Sequence, residues 1–143
     1  MTLQPPFTPA ELKANSRAYV AAGAAFLDAK LPDWFDQIDI NSLVMSSGCH
    51  CVLGQLGADI VNLDRLGIDD PESVDMNDPY WDLIAALSLN DTRNEVNDET
   101  LGFDEKYEYD PDGDFGCRIV TTYDDLRDAW VVEIKARRAA SEA

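Results

Sequence analysis

The stretch "TPAELKANSRAYVAAGAAFLDAKLP", residues 8–32, decides how the chain is read. Thr8 can cap, Pro9 takes the first helical position, where its missing N–H costs nothing, and Glu11 closes a capping box three residues after the cap. Leu12, Tyr19, Val20, Gly23, Phe26 and Leu27 then fall at helical spacing, with alanines between them raising propensity. The helix is expected to run to about Leu31, because Pro32 disfavours helical backbone at the residue before it. Its apolar stripe is read as core.

Downstream, "PDWFDQIDINSLV" packs Trp34, Phe35, Ile38, Ile40 and Leu43 too densely for a solvated linker, yet Asp and Asn interrupt it. A packed connector with one helical turn is expected. In "MSSGCHCVLGQLG", residues 45–57, Ser46 or Ser47 reads as an N-cap, and Val52, Leu53, Leu56, Ile60 and Leu63 continue at three- and four-residue steps. A helix from about Gly48 to Leu66 follows, with a break near Gly57 as the alternative. "GIDDPESVDMN" is a polar loop. "DPYWDLIAALSL" repeats the helix start, with Asp78 as cap, Pro79 at the first position, and Trp81, Leu83, Ile84 and Leu87 apolar.

The polar run "NDTRNEVNDET" reads as a candidate mobile loop. "KYEYDPDGDFGCRIVTTY" reads as a hairpin, with Tyr107 and Tyr109 alternating, turn residues Asp110 to Gly113, and a second strand from Arg118 to Tyr123. Thr122 with Asp125 resembles a cap. Leu126, Trp130, Ile134 and Arg137 then mark a closing helix to about Ala140, with Lys135, Arg137 and Arg138 where positive charge suits the dipole. The sum is an α+β fold, a mostly helical single domain over residues 1–143. It has about four helices and one β-hairpin before the C-terminal helix.

The chain of 143 residues carries 28 acidic and 11 basic side chains, a net charge of −17. Residues 61 to 130 hold 20 of the acids against 5 bases. Such a field repels nucleic acid, whose binding depends on basic side chains displacing counterions, and it repels anionic membrane. Direct nucleic-acid binding and membrane association are therefore excluded. No apolar run approaches the roughly 20 residues that span a bilayer, and nothing at the start reads as a secretory signal. Three cysteines, an odd number in a chain of this size, argue for reduced thiols and against a secreted disulfide framework.

Cys49, His50, Cys51 and Cys117 are the inventory of a tetrahedral zinc site, and Cys117 lies on a strand that could fold back towards Cys49. The spacing opposes it, since a continuous Cys-His-Cys would have to turn three successive side chains onto one ion. A reactive thiol at a helix N-terminus has local physics in its favour. It lacks a second histidine as base, and His50 is adjacent in sequence rather than placed across a cleft. The preferred reading makes Cys49 or Cys51 a small apolar residue at the start of a buried helix, with His50 outward. Asp110, Asp112 and Asp114 alternate like the first ligands of a calcium loop. The match fails at the sixth position, Phe115, and at the twelfth, Thr121. No cofactor or metal is expected, and no catalytic residue is assigned.

Three blocks of the chain carry a resemblance. The run "GAAFLDAKLPDWFDQIDINSLVMSSGCHCVLGQLG", then "GFD" at 102–104 and "YDDLRDAW" at 123–130, resemble small uncharacterised proteins encoded by phages and prophages of actinobacteria. Members of that group often have an aromatic residue between "GQL" and the next glycine, where here Gly57 follows Leu56 directly. The resemblance implies a phage origin and action in the bacterial host cytoplasm, and it brings no functional residue to carry over. The expected function is a small acidic non-catalytic protein that binds and modulates a bacterial host protein. Asp69, Asp70, Glu72, Asp75, Glu105, Glu108, Asp110, Asp112 and Asp114 are the candidate partner-binding surface. A DNA-mimic inhibitor of a nucleic-acid-binding protein is the first alternative. A metal- or thiol-dependent protein built on Cys49, His50, Cys51 and Cys117 is the second.

Overall fold

The computed structural model describes residues 6–47, 50–58, 84, 87, 89, 96–109 and 117–142. Helix α1 spans Pro9–Lys30, and its capping box forms: Thr8 Oγ1 accepts from the Glu11 amide at 3.2 Å, and Glu11 Oε1 accepts from the Thr8 amide at 3.0 Å. The helix stops at Leu31, whose amide still donates to Leu27 O. Asp33 at φ 68 then turns the chain; a short polar side chain tolerates the left-handed region better than most. The buried stripe of α1 is Ser16, Val20, Gly23, Ala24 and Leu27, with Tyr19 and Phe26 at its half-buried margins.

The connector holds two short 3-10 turns, Trp34–Gln37 and Ile40–Ser42, where one was expected. Helix α2 covers Val52–Gly57 and is capped by Cys51, not by Ser46 or Ser47. Residues 59–66 of the anticipated longer helix lie outside the described residues, as do Gly48 and Cys49. Most of the helix expected from residue 79 also lies outside them. Of that segment Ile84 has helical backbone, and Ile84, Leu87 and Leu89 are buried in the same core as α1 and α2. Among the described residues there are three α-helices, not about four. None is long and apolar enough to cross a membrane.

Strands β1, Tyr107–Tyr109, and β2, Cys117–Ile119, pair antiparallel with Tyr107 opposite Ile119 and Glu108 opposite Arg118. The turn residues 110–116 are outside the described residues. The second strand is shorter than expected because Thr121 and Thr122 serve other ends. Thr121, fully buried, accepts from the Lys106 amide at 2.8 Å, and Thr122 Oγ1 accepts from the Asp125 amide at 3.1 Å to start the last helix. That helix, α3, runs Tyr123–Glu142 and packs along α1 through Leu126, Ala129, Trp130 and Ile134. Asn15 of α1 donates to Val120 O at 3.0 Å, so the hairpin is tied to the first turns of α1.

The described part of the polar run, Val96–Thr100, is a hydrogen-bonded turn. Buried Asn97 accepts through Oδ1 from the amides of Glu99 and Thr100, at 2.9 and 3.1 Å. The turn delivers Leu101, Gly102 and Phe103 into the core. Gly102 adopts φ 72, and a Cβ there would lie 2.8 Å from Val20 Cγ2. Gly23 admits the loop from the other side, since a Cβ on it would sit 1.9 Å from Leu101 O. Trp130 Nε1 donates to Gly102 O at 2.7 Å, its ring stacks on Phe103 at 5.3 Å, and the edge of Trp34 meets it at 5.5 Å.

The connector's carbonyls are partly satisfied by α3. Arg127 Nε donates to Leu43 O at 2.9 Å and its Nη2 to Ile40 O at 3.3 Å, while Arg138 donates to Phe35 O and Ile38 O. Arg137, expected to continue the stripe and suit the helix dipole, instead bonds Asp28 through Nε and Nη2 and also pairs with Glu133. Asp28 in turn accepts from Trp34 Nε1 at 2.9 Å.

Three stability outcomes follow from this packing. Trp130→Ala removes a fully buried ring and leaves Gly102 O unpaired, so a loss of about 3–5 kcal/mol is expected in denaturant unfolding. Gly23→Ala tests the loop contact with a sign that propensity alone gets wrong: propensity favours Ala by about 1 kcal/mol, whereas the structure requires net destabilisation. Arg138→Ala frees two connector carbonyls and is expected to cost about 1.5–3 kcal/mol by the same assay.

Candidate functional site

The cysteine and histidine segment is held by backbone bonds at both ends. The Val44 amide donates to His50 O at 3.2 Å, and the Ser47 amide to Val44 O at 3.1 Å. Gln55 then reaches back from α2: its Oε1 accepts from the Asp39 amide at 2.7 Å, and its Nε2 donates to Asp39 O and His50 O at 3.1 and 3.0 Å. One amide side chain therefore fastens the connector to the turn before α2. In the sequence Gln55 was only a polar position inside "VLGQL".

Within this frame His50 and Cys51 part company. His50 is exposed, with Nδ1 at 2.9 Å from Ser47 Oγ. Cys51 is 2% exposed and sits at the N-cap of α2, where its Sγ accepts from the Gly54 amide at 3.3 Å. An amide donor at a helix start would normally favour a thiolate. Burial outweighs it here: desolvation raises the thiol from 9.0 to about 11, against the lowering effect of the Gly54 and Leu53 amides, so it stays protonated at neutral pH. For these two residues the reading of a small buried cysteine with an outward histidine agrees with the structure. Among the described residues no three His, Cys, Asp or Glu side chains gather as a group able to hold a metal. Cys49 is outside the described residues.

Of the nine acids named as a partner-binding surface, Glu105 and Glu108 lie among the described residues. Asp69, Asp70, Glu72, Asp75, Asp110, Asp112 and Asp114 lie outside them. Glu105 is half-buried and makes two bonds within the fold. Its Oε1 accepts from the Tyr107 hydroxyl at 2.9 Å, and its Oε2 accepts from the Tyr123 amide at 3.1 Å, where the N-terminus of α3 favours negative charge. Glu108 is exposed and bonded to the Arg118 guanidinium across the strand pair, Nε to Oε2 at 2.6 Å. Exposed pairs of this kind contribute little to stability.

Beside them the structure brings in acids that the sequence reading did not single out. Asp104 Oδ1 accepts from the Tyr123 hydroxyl at 2.9 Å and from the Glu105 amide at 2.8 Å. Burial, followed by the bond to Asp104 and its charge, pushes the Tyr123 phenol well above its ordinary range. Asp98 is 8% exposed, and the carboxyl of Glu99 is raised by burial and by the charges of Asp98 and Asp104, with Lys106 acting the other way. The signal for this cluster was the acidic "GFDE" after the polar run, but only the placement of Leu101 and Phe103 in the core draws it against α3.

Compared with known protein families, with curated proteins and with solved structures, the chain matches none.

The buried thiol has a measurable pH signature. In the unfolded chain it ionises near 9.0 and in the native chain near 11, so between these values unfolding releases a proton that folding retains. The stability held below pH 9 is therefore lost as the pH rises towards 11. Tyr123, raised in the same direction, adds its loss at higher pH. In a background with Cys49 and Cys117 replaced by serine, unfolding free energy should fall more steeply from pH 8.5 to 10.5 with Cys51 present than with Cys51→Ala. A thiol reagent at pH 8 should label Cys51 only after denaturation.

Proposed function

We propose that this chain is a small acidic, non-catalytic phage-type protein that binds and modulates a bacterial protein in the host cytoplasm. The observation that carries the reading is the divergence of its most reactive-looking segment: the Cys51 thiol is buried and held protonated, while His50 faces outward to Ser47. A nucleophile needs an adjacent base and access, and this pair offers neither arrangement. The resemblance of residues 23–57, 102–104 and 123–130 to phage proteins of actinobacteria supports the setting.

The charge of −17 supports the chemistry of the partner. A protein with this field associates fastest with a basic surface, and that association weakens as salt screens it. The same charge favours, as a second reading, an inhibitor that imitates DNA phosphates in the cleft of a nucleic-acid-binding protein.

Affinity capture from a nuclease-treated actinobacterial lysate, at low and at high salt, tests both. The expected result is one specific protein enriched over a charge-matched acidic control. Its release at high salt together with nucleic-acid-binding activity would favour mimicry, and retention at high salt would favour a largely apolar interface. No partner distinguishable from the control would overturn the binding reading.

A further inference from the structure

We draw no further inference here: the strongest candidate, the side-chain cluster of Asp98, Glu99, Asp104 and Glu105 between the core loop and the N-terminus of α3, carries nothing because the hydrogen bonds its carboxylates make lie within the fold and nothing in the structure shows what would bind it.

Discussion

The bond from the Trp130 indole to Gly102 O, at 2.7 Å, is the constraint on which the other contacts depend. A buried indole N–H left without an acceptor costs roughly 1–3 kcal/mol. It therefore needs a carbonyl that no helix or strand has claimed. A loop carbonyl in the core meets that need only if the loop approaches closely, and two glycines allow it. Gly102 takes φ 72, while Gly23 leaves room on α1 for Leu101 O. With the ring so oriented, Phe103 stacks on one side and Trp34 meets it edge-on, which joins α1, α3, the connector and the loop around one aromatic centre.

A second constraint concerns polar groups along the connector. Short 3-10 turns leave backbone carbonyls without ladder partners, and buried or half-buried carbonyls must find donors. Arg127 and Arg138, eleven residues apart on α3, supply them for Leu43, Phe35 and Ile38, and Arg127 adds a second donor to Ile40 O, which already accepts from the Leu43 amide. Arg137 is engaged with Asp28 and Glu133 and lies 5.7 Å from the Trp34 ring centroid. Three of the 11 basic side chains thus act as internal connectors, in a chain that has 28 acids.

The same accounting shapes the functional reading. Glu105 and Asp104, which in sequence look like members of an acidic run, receive hydrogen bonds from Tyr107, Tyr123 and the first amide of α3. Cys51, one of the two cysteines weighed as a reactive thiol, caps a six-residue helix from inside the core. Among the described residues, these chemistry-bearing side chains thus have structural tasks.

Helix α1 was legible because its signals are local: cap, proline and box lie within four residues, and the alanine-rich body with its apolar stripe needs no distant partner to be recognised. The same holds for α3, where Leu126, Trp130 and Ile134 recur every four residues, and for the hairpin, where alternation and turn residues sit side by side. In the described part of the polar run, which is the loop the sequence indicated, Asn97 and Thr100 bond the turn's own amides. What that turn presents to the core is decided by residues after it. The roles of Gly23, Gly102, Gln55, Arg127 and Arg138 rest on contacts up to 103 positions apart in the chain. The amino-acid sequence by itself determined where the long helices and the hairpin begin, since those depend on neighbouring peptides. Only the tertiary structure decided which carbonyl each buried indole and guanidinium would meet, because an unpaired carbonyl gains its partner only once the whole chain has packed.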